Sequence, residues 1–202
     1  MKLGNDEIEV VKEFCYLGDV VGSSGDVQNA VTARIRAGWR KFSEMSQVLC
    51  GRVLSLKLKG RLYKSCVRSV MCYGSECWAM KKADTRRMQA TEMRMIRMMC
   101  GKTLRDGIPN ALLRERTCVE DITNYLGENR LRWLGHLERM KETNVVRKVR
   151  EEKVPGSMKR GRPKLSWDEV VKKDMKMRSL SINDAQDRNK WRRRCRKVVD
   201  PG

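Results

Sequence analysis

Between residues 27 and 49 apolar side chains return every third or fourth position, at Val27, Val31, Ile35, Trp39, Phe42, Met45 and Leu49, while Arg34, Arg36, Arg40 and Lys41 fall mostly elsewhere. This period predicts an amphipathic helix with Asp26 as its N-cap and Gly51 as its stop. The spacing predicts a second helix from Ser55 to about Tyr73. It would bury Leu58, Leu62, Cys66, Val67 and Val70 and leave Lys57, Arg61, Lys64 and Arg68 outside. A Met-rich helix follows from Thr85 to Cys100, with Asp84 as its cap and Gly101 closing it. Pro109 opens a short helix through Leu112 and Leu113. Thr117–Glu120 is a capping-box pattern, and Ser166–Glu169 is a second, opening a helix to about Arg178. A last helix is expected from about Ile182 to Val198. Before all of these, residues 7–21 are β-branched and aromatic and read as two short strands, too few to form a sheet with its own core.

The segment Arg130-Leu-Arg-Trp-Leu-Gly-His-Leu-Glu-Arg-Met140 combines an apolar face (Leu131, Leu134, Leu137, Met140) with a cationic edge (Arg132, Arg139) and the single histidine, His136. Gly127 is expected to bend or break the helix just before it. On this reading the segment is a hinge between a helical bundle and a basic tail. The fold expected is mainly α, with a short N-terminal β element (residues 1–22), a helical bundle (23–142), a basic linker (143–163) and a looser basic helical C-terminal region (164–202).

Charge changes the picture more than composition does. The chain of 202 residues carries a formal net charge of +20. Residues 130–202 hold 23 Lys and Arg against 10 Asp and Glu, whereas residues 1–129 hold 22 against 15. A field of this sign attracts polyanions, nucleic acid first, because each neutralised phosphate releases counterions. An anionic membrane surface fits less well, since the aromatics do not gather on one face of one basic helix. No apolar run approaches the ~20 residues needed to cross a bilayer. The acidic start, Met-Lys-Leu-Gly-Asn-Asp-Glu, lacks the apolar stretch of a signal peptide. The expectation is a reducing compartment, nuclear or cytoplasmic. Eight cysteines form no Cys-x-x-Cys pair, so buried free thiols are expected, with no metal and no cofactor.

Five motifs occur in order: Phe14-Cys-Tyr-Leu-Gly18, Arg34-Ile-Arg-Ala37, Tyr73-Gly-Ser-Glu-Cys-Trp78, Arg130 to His136 with Arg139-Met140, and Arg160-Gly-Arg-Pro163 with Trp167. In this order the chain resembles the end of the palm, the thumb and the downstream basic region of non-LTR (LINE-type) retrotransposon reverse transcriptases. The resemblance implies that Phe14, Tyr16, Leu17 and Gly18 form a primer-grip-like strand and turn, and that residues 23–142 are thumb-like. It implies a template-primer duplex, of RNA or DNA, as partner. The family polymerises on two metal ions held by an aromatic-Ala-Asp-Asp tetrapeptide and an upstream aspartate, and no such tetrapeptide occurs here. The chain is therefore expected to hold no catalytic residues, to be inactive alone, and to lack an upstream palm and endonuclease.

Candidate nucleic-acid contacts are Arg130, Arg132, Arg139, Lys159, Arg160, Arg162, Lys164, Arg192, Arg193 and Arg194. Arg160-Gly-Arg-Pro163 is either an AT-hook, whose glycine lets two arginines sit deep in a minor groove, or a basic turn before a helix. The Arg192–Lys197 cluster is a phosphate contact, a nuclear localisation signal or a solvated helix end. His136 has no partner set for metal or general-base chemistry and reads as a packed or phosphate-facing imidazole. The five tryptophans either stack on bases or are buried, with burial expected of Trp39 and Trp133. Two alternatives to the polymerase-fragment reading are a stand-alone, domesticated nucleic-acid-binding protein and a translated relic without function.

Overall fold

The computed structural model describes residues 2–3, 6–7, 11, 13–16, 19–22, 27–151 and 165–196. These residues are mainly helical, with short N-terminal strands. Strands β1 (Lys2–Leu3) and β2 (Asp6–Glu7) form one antiparallel pair, and β3 (Glu13–Tyr16) and β4 (Asp19–Gly22) another, with Phe14 opposite Val21 and Cys15 opposite Val20. The helices are α1 (Gln28–Glu44), α2 (Ser46–Cys50), α3 (Leu56–Leu62), α4 (Ser69–Met71), α5 (Lys82–Met99), α6 (Asn110–Thr117), α7 (Ile122–Glu138), α8 (Val145–Glu151), α9 (Trp167–Met177) and α10 (Arg188–Cys195). A π turn, Tyr63–Arg68, joins α3 to α4. Asp26, the expected cap of α1, lies outside the described residues.

The chain divides into two compact units, residues 1–73 with 90–118, and residues 74–89 with 119–202. In the first, β4 and the segment 63–71 pack on α1, and α6 packs on α3. Its core is Val31, Phe42 and Leu49 from α1 and α2, Tyr63, Val67 and Met71, and the sulfur-rich half of α5 with Met95, Ile96 and Met99. The segment 56–71 buries Val67 as expected but otherwise turns a different face inward. Lys59, Tyr63, Val67, Arg68 and Met71 are buried, and Leu58 is exposed. The reason is that two cations on this face are satisfied internally. Lys59 Nζ donates to the Met99 carbonyl at 3.1 Å, and Arg68, wholly buried, donates to Glu92 from Nε at 2.9 Å and from Nη2 at 2.7 Å. The other oxygen of Glu92 accepts from Arg114 Nη1 at 2.8 Å. A buried charge survives only with such partners.

Several boundaries follow the sequence. Gly101 takes φ +61°, the left-handed conformation that ends α5 at little cost for glycine. Ser166 and Glu169 form the expected reciprocal cap of α9. Other boundaries differ. Asp84 lies inside the first turn of α5. Thr117 ends α6 by donating back to the Leu113 carbonyl, and the cap of α7 is Asp121, which accepts from Thr123 N at 2.8 Å. The expected last helix is split. Ile182–Gln186 is a 3-10 turn, and Asp187 caps a separate α10 by accepting from Asn189 N and Lys190 N.

In the second unit, Leu131 and Leu134 of α7 pack with Val171, Ala185, Trp191 and Cys195. The expected boundary at 142 therefore falls inside this unit, where α7 lies in the core with α9 and α10 packed on it. Gly127 does not break α7. A Cβ there would stand 2.9 Å from Arg178 Nη2, and the buried Arg178 uses that space to donate to the carbonyls of Asn124, Asp174 and Cys195.

The expectation of buried thiols holds for Cys72 and Cys195, while Cys15, Cys50, Cys77 and Cys118 are exposed. Burial pushes the Cys195 thiol from an ordinary value of 9.0 up to about 11. Between these values the unfolded chain gains free energy by ionising while the buried thiol stays neutral, so the group favours unfolding there. Stability is expected to be independent of this group below pH 9 and to fall as pH rises from about 9 towards 11. Urea midpoints of the parent and Cys195→Ser across that range check it: the parent should show the steeper alkaline decline.

Candidate nucleic-acid interface

Helix α7 is unbroken from Ile122 to Glu138, so Asn129, Arg132, Trp133, His136 and Arg139 recur at three- and four-residue spacing along one edge, with Arg139 at the C-cap. On α10, Arg188 and Arg192 stand one turn apart. Helices α7 and α10 meet through Trp191, which is 1% exposed and donates from Nε1 to the Leu131 carbonyl at 2.8 Å. The indole lies where a side chain at Gly135 would otherwise stand, since a Cβ there would be 2.3 Å from Trp191 Nε1. Asn129, Arg132, Trp133, His136, Arg139, Arg188, Trp191, Arg192 and, from the 3-10 turn Ser75–Cys77, Glu76 line a cavity of about 570 Å³ within the second unit. Trp167 holds the Glu76 backbone in place, donating from Nε1 to its carbonyl at 2.7 Å.

The electrostatics of this cavity are lopsided. Four guanidinium groups line it with one carboxylate, Glu76, among the described residues. Arg132 lies 3.8 Å from Glu128, and its side chain is 44% exposed. Arg139 Nη1 donates to the Ala185 carbonyl at 2.6 Å, which aims the group without neutralising it. Burial, and next the charge of Arg188, make Arg139 a weaker base than an ordinary arginine. The rings of Trp133 and His136 adjoin, with centroids 5.4 Å apart and planes at 45°. Guanidinium forks and an open aromatic surface suit a bound anion that also carries a planar group.

The residues singled out from sequence divide clearly. Arg132, Arg139 and Arg192 reach the cavity, and Arg193 is exposed beside it in sequence. Arg130 does not face solvent. It is 7% exposed and its Nε donates to Asp174 at 2.7 Å, so the expectation of a phosphate contact is corrected to an internal ion pair. Arg194 is bound to Asp184 at 2.8 Å and to the Ser179 carbonyl. Lys159, Arg160, Arg162 and Lys164 lie outside the described residues, as do Leu17 and Gly18; Phe14 is exposed on β3, and Tyr16 ends that strand. Burial of Trp39 and Trp133 was expected, yet both are half-buried, and the fully enclosed indoles are Trp78 and Trp191. Sequence reasoning missed Arg188, Asn129 and Glu76. The one-turn spacing of Arg188 and Arg192 was the available signal for the first.

Among the described residues no group of three His, Cys, Asp or Glu could hold a metal ion, and no helix is long and apolar enough to cross a membrane. Fold and site together define a mainly helical, strongly basic protein with an arginine-lined cavity. The chain is similar to an uncharacterized transposon-derived protein of Caenorhabditis elegans, at 27% identity over 198 residues that cover 92% of this chain and 70% of that protein. The likeness supports a transposon origin. No protein-family model and no solved structure matches the chain.

Proposed function

We propose that the chain is the thumb and downstream basic region of a non-LTR retrotransposon reverse transcriptase, and that it grips template-primer nucleic acid through phosphates. The observation that carries the binding reading is the convergence of Arg132, Arg139, Arg188 and Arg192 on one cavity with a single carboxylate among the described residues. The ordered motifs and the similarity to a transposon-derived protein support the origin. In this reading Phe14, Tyr16, Leu17 and Gly18 are the primer-grip-like element, and the basic segment 159–164 adds phosphate contacts. No polymerase step is assigned to these residues, because the chain contains no aromatic-Ala-Asp-Asp tetrapeptide.

A second reading is a stand-alone nucleic-acid-binding protein of transposon origin, supported by the likeness to a transposon-derived protein over 92% of this chain. Both readings share one test. The affinity of the purified chain for a duplex should fall with salt, log K against log salt sloping by roughly −5 for six phosphate contacts. A flat response removes both.

A further inference from the structure

We infer that the cavity between α7 and α10 receives one unstacked nucleotide of a single strand, its phosphate among the arginines and its base against Trp133 and His136. The inference rests on the nucleic-acid reading above and narrows its ligand. Size is the first argument. A cavity of about 570 Å³ matches small-ligand sites of roughly 300–1,000 Å³ and so has room for one nucleotide. A duplex keeps its bases paired and stacked and offers such a cavity only its backbone.

Charge is the second. Among the described residues Arg188 and Arg192 have no carboxylate partner, and Arg139 is committed only to a carbonyl. Four converging cations repel one another until an anion sits between them. A phosphate supplies that charge and accepts the paired N–H groups of guanidinium in their own geometry.

Ring chemistry is the third. Trp191 cannot serve as a platform, being enclosed with its N–H already donated. Trp133 is half-buried and His136 exposed, and both line the cavity. Stacking on such rings tolerates any base. Asn129, also in the lining, carries an amide able both to donate to and to accept from a base edge. Inorganic phosphate would use the arginines and leave these three side chains idle.

The test titrates the full chain with pentathymidylate, pentauridylate, a blunt duplex and inorganic phosphate, following tryptophan emission. Trp133→Leu should weaken binding of the tighter pentanucleotide about tenfold, the worth of one base–aromatic stack, and leave duplex affinity within twofold. His136→Ala, at an exposed position, repeats the comparison without disturbing packing and should weaken the same arm. Whichever pentanucleotide binds more tightly identifies the strand as DNA or RNA. Pentanucleotide binding indifferent to both substitutions, with duplex binding intact, overturns this inference and spares the broader one. Equal competition by inorganic phosphate also overturns it. Failure of every nucleic acid to bind removes the broader reading and this one together.

Discussion

Glu92→Gln is expected to destabilise the first unit by about 4 kcal/mol, the usual cost of leaving one member of a buried ion pair alone. Glu92 and Arg68 are both wholly buried, Arg68 contacts one carboxylate oxygen at 2.9 and 2.7 Å, and Arg114 contacts the other at 2.8 Å. Tyr63 adds a donor at 3.4 Å, and its own hydroxyl is pushed well above its ordinary range, first by burial and then by the Glu92 charge. An amide keeps the shape but carries no charge, so Arg68 stays desolvated without compensation. Amide hydrogen exchange in α3 and the C-terminal half of α5 should accelerate by about a thousandfold. Arg68→Met with Glu92→Leu should recover much of the loss, because an apolar pair needs no compensation. Unchanged exchange in Glu92→Gln would show that the network contributes nothing.

Gly135→Ala is expected to be destabilising by about 1–3 kcal/mol, although alanine is the better helix former by about 1 kcal/mol. The added Cβ would lie 2.3 Å from Trp191 Nε1 and 2.5 Å from its Cδ1. That ring is enclosed and tied to the Leu131 carbonyl, so it cannot swing aside as the end of an arginine could. Either α10 shifts or the indole–carbonyl bond breaks, and the cavity wall changes with it. A thermal melt of the second unit, read through its tryptophans, should fall by several degrees. A rise would mean that helix propensity outweighs the contact and that α7 and α10 are not closely packed at this point.

Much of the helical architecture was legible because caps and stops act locally. Ser166 with Glu169 and Gly101 each declare a boundary through bonds or dihedrals within a few residues. The buried face of residues 56–71 was not legible. Arg68 reads as solvent-facing until Glu92, distant in sequence, is brought to it, and nothing local marks Lys59 as the partner of the Met99 carbonyl. Gly127 misled for a related reason, and Gly135 carried no expectation at all. A glycine within a helical period reads as a weakness, yet here each marks the seat of a large side chain from another element, Arg178 and Trp191. Arg130, read as cationic surface, is internal because Asp174 meets it across 44 positions of chain. The candidate site was half visible. The edge Arg132, His136 and Arg139 follows from the period of α7, whereas Glu76 and Arg188 reach it only through tertiary packing.

The central claim is that the arginines of α7 and α10 touch nucleic-acid phosphates. It is tested most directly by the salt dependence of duplex binding for the parent chain and for the combined Arg132→Gln, Arg188→Gln and Arg192→Gln variant. These three were chosen because Arg139 also holds the Ala185 carbonyl. The account predicts weaker binding on every sequence and a slope of log K against log salt smaller in magnitude by roughly 3, about one unit for each contact removed. Equal slopes for parent and variant would contradict it.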